Sequence, residues 1–223
     1  MSSVSSFDLV IFDCDGVLVD SEPLSCRAFE QVYANHGMEL PQGTVAKGIG
    51  MKQADIMKMI EDMTGHRLPE EATSQFWPET KILFAEALEP TAGIADFLRV
   101  LPQKRCVASS SQPERIAFSL EKTGISHYFG DAVYSSSMVK RGKPAPDLFL
   151  FAANKMGVDP ARCVVIEDSP FGVEGAIAAG MTAFGYTGGG HTYAGHAEKL
   201  TSKGAHRVFS HWNDIAREIL VAA

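Results

Sequence analysis

Asp13 and Asp15 stand one residue apart, directly after the apolar run Leu9-Val10-Ile11-Phe12. On an extended chain, side chains two residues apart point to the same side, so the two carboxylates share one face. No cation lies nearby in sequence to neutralise them. Such a pair suits a hard divalent cation with oxygen ligands, such as Mg2+. It also suits a division of labour in which one acid attacks and the other moves protons. The same residues suit an ordinary turn, where Asp and Gly are common. Three other places carry comparable chemistry. Ser109-Ser110-Ser111 lie between a strand-like run ending at Ala108 and a helix opening at Pro113-Glu114; hydroxyls and unpaired helix-start N–H groups together make an anion site. Lys143 sits in Gly142-Lys143-Pro144-Ala145-Pro146-Asp147. Its prolines fix φ and keep the lysine out of helical geometry, holding one cation on a stiff loop. Glu167 and Asp168 close the apolar run Cys163-Val164-Val165-Ile166, again placing acids at the end of a strand.

The elements that must position these groups follow from the apolar pattern. Leu9 to Phe12 reads as a strand buried on both faces. Ser21 can then cap a helix with Pro23 in its first turn, and Leu24, Ala28, Phe29, Val32 and Tyr33 recur at helical spacing up to Gly37. Ile56, Met59, Ile60 and Met63 predict a second helix stopping at Gly65, its methionines packing a core. A third starts at Pro69-Glu70-Glu71 and runs through Phe84, with Pro78 kinking or dividing it. This helical block breaks the strand–helix alternation of an α/β domain. It predicts a separate lobe at 20–88, with linkers near 19–21 and 89–93, set into an α/β core formed by 1–19 and 89–223. Past Gly93 the alternation resumes, with helices at 94–101, from 113, at 147–156 and from Ser169-Pro170 through 179. Strands are expected at 105–108, 132–134, 162–166 and 181–186. Thr187-Gly188-Gly189-Gly190 fits neither GxGxxG nor a Walker A loop and reads as a flexible loop. His191, His196, His206 and His211 have no metal-binding spacing, and an amphipathic helix closes the chain at 212–220.

Taken together, the motifs resemble the four signatures of the haloacid dehalogenase-like phosphohydrolases. Phe12 to Ser21 is similar to hhhDxDGhhxDS. Ser109 stands where that family has its serine, Gly142-Lys143-Pro144 matches the third signature, and Ile166-Glu167-Asp168-Ser169 with Gly172 matches hhhEDSxxG. All four come in the family's chain order and span the core. The resemblance implies a doubly wound, mostly parallel sheet with its site at the carboxyl ends of the strands. It also implies a helical cap at 20–88 of the first subclass, close to the phosphoglycolate phosphatase and β-phosphoglucomutase-like group. It further implies phosphoryl transfer through an aspartyl phosphate. Asp13 attacks phosphorus, Asp15 acts as acid and then base, Ser109 binds a phosphoryl oxygen and Lys143 offsets charge. Mg2+ would be held by the Asp13 side chain, the Asp15 backbone carbonyl and Asp168, with Glu167 in the metal shell or holding Lys143. Keeping the Asp15 side chain off the metal leaves it able to carry a proton. Ser110, and Lys52 in the cap loop Gly48-Ile49-Gly50-Met51-Lys52, would meet the substrate. Three other activities share parts of this pattern. β-Phosphoglucomutase-like isomerases usually carry a His where this chain has Ser25, which leaves a phosphatase ahead. A phosphoaspartate receiver domain lacks a DxD with such an insert, and true dehalogenases lack the second Asp.

Composition narrows the partners. The 223-residue chain carries a net charge of -7, so it gains no counterion-release term on nucleic acid, and a phosphate site must supply its own local positive charge. A small phosphorylated metabolite is the expected partner, with a monomer favoured. Cys14, Cys26, Cys106 and Cys163 have no CxxC spacing and predict a reducing, cytoplasmic setting. The opening MSSVSS lacks the features of a secretory signal, and no apolar run is long enough to span a membrane.

Overall fold

A computed structural model describes residues 7–220; the MSSVSS segment lies outside them. Six strands form one parallel sheet in the order β3-β2-β1-β4-β5-β6. They are β1 (Leu9–Phe12), β2 (Lys104–Ser109), β3 (Val133–Ser135), β4 (Cys163–Glu167), β5 (Thr182–Tyr186) and β6 (Arg207–Phe209). The apolar runs become strands because both faces are covered. Val10, Phe12, Val107, Val164 and Ile166 point into one core, together with α4 (Ile94–Val100), α5 (Pro113–Lys122) and α9 (Trp212–Leu220). Leu9, Ile11, Cys106, Cys163 and Val165 point into the other, with α6 (Asp147–Met156), α7 (Pro170–Ala178) and α8 (His196–Ser202). Alternate residues of each strand thus feed opposite helix layers, as the period-two geometry requires. From β1 the chain builds outward to β2 and β3, then crosses to β4 on the other side of β1. β1 and its neighbours therefore flank the point where strand order reverses, where crevices form in such sheets.

Between β1 and β2 lie α1 (Glu22–Asn35), α2 (Gln53–Thr64) and α3 (Phe76–Ala87). Phe29, Val32, Tyr33, Ile56, Ile60 and Phe76 make a third apolar cluster there. The two connectors to this block run side by side: Asp20 N–H donates to the Glu89 carbonyl at 3.0 Å, and Val19 bridges Pro90. The expected third helix is divided, with a 3-10 turn over Glu70–Gln75 ahead of α3. Pro78 falls in the first turn of α3, where its missing N–H has no helical acceptor to lose. Two elements are absent from the sequence reading, α8 and β6. Both are short, and α8 buries only His196 and Leu200, too little for an apolar period to register.

Candidate active site

Asp13 is the first residue past β1, and its N–H donates to the Ile166 carbonyl of β4 at 3.0 Å. That bond extends the β1–β4 pairing by one residue and brings Asp13 beside Glu167 and Asp168. Ligand oxygens of these three buried acids lie within 4.8 Å of one another. Lys143 enters from the loop before α6, and its Nζ donates to Asp13 Oδ1 at 2.8 Å and to Glu167 Oε1 at 2.5 Å. Its side chain is 5% exposed and Nζ lies 5.1 Å from the centre of the Phe149 ring. Glu167 is fully occupied, because Oε2 accepts from the backbone N–H and the hydroxyl of Ser169, each at 3.0 Å. A Cβ on Gly172 would fall inside the Glu167 carboxylate, so only glycine lets α7 begin against it.

Asp15 faces a different set of donors. Oδ1 accepts from Ser21 Oγ at 2.7 Å and Arg115 Nη2 at 2.6 Å, and Oδ2 accepts from Ser111 Oγ at 2.6 Å. Ser21, expected as a helix cap, makes no side-chain cap bond, since its hydroxyl is spent on Asp15. Ser111 likewise serves Asp15 and does not cap α5, whose N-cap residue is Gln112. Ser109, 1% exposed at the end of β2, accepts from the Ser111 N–H at 3.1 Å. Ser110 and Lys52 line the same cavity as Asp13 and Asp15, a space of about 630 Å³ between the sheet end and α1–α3. Lys52 precedes α2 with no cap bond of its own, and its Cε would lie 3.8 Å from a Cβ on Gly142, next to Lys143. Seven of the eight residues singled out from the sequence thus line one crevice, and Glu167 sits buried behind it against Lys143.

Charge is unevenly balanced here. Burial raises Asp13 well above the ordinary carboxylate range; Lys143 pulls it down, while Glu167, Asp168 and Asp15 push it further up. Asp168 is raised by burial and by Glu167, with Lys143 opposing. Asp15 goes the other way: burial raises it, but Arg115 and the hydrogen bonds from Ser111, Arg115 and Ser21 outweigh that and hold it low. Asp13, Asp15, Glu167 and Asp168 outnumber Lys143 and Arg115, and the surplus negative charge sits on oxygens. That donor set fits a hard divalent cation such as Mg2+ better than zinc or another soft metal. The crevice therefore gathers several carboxylates, serine hydroxyls and a lysine, groups suited to nucleophilic attack, proton transfer and anion binding.

Several residues here carried no sequence signal. Arg115 bonds Asp15, donates to Ser25 Oγ at 2.9 Å, and stacks 5.1 Å over Phe84. Its place in the first turn of α5, where the helix dipole disfavours a cation, is the one hint available. His191 Nε2 lies 2.8 Å from Asp168 Oδ2, and His196 Nε2 contacts the Asp168 carbonyl at 2.7 Å. The Gly188–Gly190 segment is packed, contrary to the flexible loop expected. Gly190 N–H donates to Asp20 Oδ1 at 2.8 Å and Thr187 N–H to the Phe209 carbonyl at 2.8 Å.

Comparison with known proteins agrees with this geometry. Residues 7–180 match the model of the haloacid dehalogenase-like hydrolase family. The chain is 32% identical over 183 residues to the 6-phosphogluconate phosphatase of Escherichia coli strain K12, covering 81% of this chain and 83% of the relative. It is 34% identical over 181 residues to the fructose-1-phosphate phosphatase YqaB of the same strain, covering 78% and 93%. Among solved structures, a conserved haloacid dehalogenase-like protein of unknown function from Agrobacterium tumefaciens superposes with a TM-score of 0.86 at 35% identity, covering 97% of this chain and 99% of that one. No helix among the described residues is long and apolar enough to cross a membrane.

Proposed function

Because the chain belongs to the haloacid dehalogenase-like hydrolases, we propose that it is a phosphatase releasing phosphate from a small phosphorylated metabolite through a phosphorylated Asp13. The carrying observation is Lys143 bridging Asp13 and Glu167, with Asp168 in the same acidic cluster. Mg2+ held by the Asp13 carboxylate, the Asp15 carbonyl and Asp168 would neutralise phosphoryl oxygens and the surplus acidity of the site. An Asp13 oxygen bonds to phosphorus as the ester oxygen leaves, and Asp15 gives that oxygen its proton. Asp15 then takes a proton from the water that cleaves the acyl phosphate, restoring Asp13 and freeing inorganic phosphate. Lys143 opposes the burial that raises Asp13, and Glu167, with both oxygens occupied, anchors Lys143. Ser109 donates its hydroxyl proton to the phosphoryl group. Asp15 is held ionised by Arg115, Ser111 and Ser21, so its acid role requires that it first take up a proton, as the ester oxygen replaces one of these donors; the proton it later takes from the attacking water restores that acid form for the next turnover.

The substrate class follows from the relatives' named substrates and from the cavity. Sugar phosphates and sugar-acid phosphates are the class acted on by the E. coli proteins, and a space of about 630 Å³ lies in the range of small-ligand pockets. Residues 20–88 act as the cap over it, and Lys52 meets the part of the substrate beyond the phosphate. A phosphatase is favoured over a mutase by Ser25. Its hydroxyl donates to the Ser21 carbonyl at 2.9 Å and accepts from Arg115, so the position holds a tethered hydroxyl in place of an imidazole. The test is a panel of sugar and sugar-acid phosphates assayed with Mg2+ for released phosphate. Wild type should turn over at least one of them and Asp13→Asn should lose at least about a thousandfold. Lys52→Ala should lower kcat/KM for the preferred ester about tenfold or more and spare p-nitrophenyl phosphate. Isomerised sugar phosphate without free phosphate would establish the mutase, and an Asp13→Asn variant keeping a tenth of the activity would refute the nucleophile.

A further inference from the structure

The Gly-Gly-Gly-His segment after β5 has no part in the chemistry described so far, yet it is among the most closely packed stretches of the site. A Cβ on Gly189 would lie 2.8 Å from His191 Nδ1 and 3.0 Å from the Gly16 carbonyl, and one on Gly190 would lie 2.9 Å from Asp20 Oδ2. The 2.8 and 2.9 Å contacts are closer than a real Cβ tolerates and the 3.0 Å one is at the limit, so glycine lets the segment lie flat against the Asp13–Asp20 loop. Gly16, with φ at +74°, has the matching constraint from the other side, since a Cβ there would run into the Asp168 carboxylate and lie 2.8 Å from His191 Cε1. The His191 imidazole lies within reach of both glycines, against Gly189 on one side and Gly16 on the other.

That imidazole is 2% exposed, and its Nε2 lies 2.8 Å from Oδ2 of Asp168, itself 3% exposed. The approach is oblique: neither ring nitrogen of His191 has a well-aligned hydrogen-bond partner among the described residues. A buried polar group left so poorly satisfied is costly, of the order of 1–3 kcal/mol, and calls for a reason. The group 2.8 Å from Nε2 is a carboxylate, which only accepts, so Nε2 carries the proton. On the far side, His196 Nε2 bonds the Asp168 backbone carbonyl and its ring packs against that of His191 with centroids 5.5 Å apart.

We propose that His191 is a positioning residue for the metal site: it holds one oxygen of Asp168 and turns the other toward the cation between Asp168 and Asp13. The inference rests on the Mg2+ reading above. When a cation draws one oxygen forward, the carboxylate rotates and the oblique Nε2–H contact aligns, so binding satisfies a group that is unsatisfied without it. Partners of this kind set metal affinity by about 10- to 100-fold. Because Gly190 N–H is bonded to Asp20 at the junction with α1, the same segment ties the metal ligand to the connector of the helical block.

Calorimetric titration of MgCl2 into metal-free protein tests this without reference to turnover. His191→Leu should weaken Mg2+ about 10- to 100-fold, while the metal-free protein melts no lower than wild type, because the unsatisfied ring nitrogens are gone. His191→Gln, which keeps a donor near the Nε2 position, should recover most of the affinity. If His191→Leu does not fold, His191→Asn takes its place, being too short to reach Asp168, with the same expected loss. Wild-type affinity in the variant lacking the donor, or equal losses in that variant and His191→Gln, would overturn the role. Absence of Mg2+ binding by wild type would instead refute the metal reading on which it rests.

Discussion

Burial alone would make a neutral acid of Asp15, yet the Arg115 guanidinium and the hydroxyls of Ser111 and Ser21 hold it ionised. A proton carrier on that carboxylate matters most where the leaving group is poor. Asp15→Ala should therefore slow sugar phosphates by about 100- to 10,000-fold and p-nitrophenyl phosphate far less, and kinetics on both esters check this. Equal losses would remove Asp15 from proton transfer. Glu22, lining the same cavity, is the opposite case. Burial, then Asp15 and Asp168, lift its carboxyl from 4.5 to about 7. Between those values the folded protein keeps a proton that the unfolded chain has released, so stability of the metal-free protein falls as pH rises through that window. Denaturant unfolding at about pH 5 and about pH 8 should show a smaller drop for Glu22→Gln than for wild type; equal drops would contradict the shift. Asp13, Asp15, Lys143 and the Glu167–Asp168 pair were legible because each sits at a strand end or in a proline-stiffened loop. Arg115, 100 residues from Asp15, and His191 act only across the fold, and no local spacing records that.

Elements place these residues through a few contacts that tolerate no added atom. α7 starts against Glu167 because position 172 has no side chain, and Ser169 closes the corner by accepting from Gly172 N–H at 3.0 Å. Gly172→Ala should destabilise the protein by roughly 1–3 kcal/mol, and by displacing Glu167 should loosen Lys143 and reduce activity as well. A variant that melts and turns over like wild type would show that α7 shifts at no cost. The central strands were readable in the sequence because β1 and β4 are buried on both faces and their apolar runs have no polar interruption. β6 and α8 were not, since edge elements of three and seven residues bury too few side chains to impose a period. The glycine segment after β5 was misread for a related reason. Glycine marks both freedom and close approach, and only the neighbours of Gly189 and Gly190 decide between them.

Across the whole molecule, four distant segments meet at one end of a parallel sheet, and residues of the helical block line the other side of the crevice. An acidic chain of net charge -7 would repel a phosphate ester at long range, so the site must attract it locally. On the proposed reading, Lys143, Ser109 and a cation held at Asp13 and Asp168 would supply that attraction in a buried setting where charge is weakly screened. Chelation should accordingly remove activity and Mg2+ restore it. The central claim is that the phosphoryl group passes through Asp13, and trapping the acyl phosphate tests it most directly. Protein mixed with Mg2+ and a turned-over ester is quenched with borohydride during steady-state turnover, digested, and the peptide holding residue 13 analysed by mass spectrometry. The account predicts reduction of Asp13 to homoserine in wild type and none in a control quenched without substrate. Continued phosphate release with Asp13 unmodified, or reduction at another carboxylate, would contradict it.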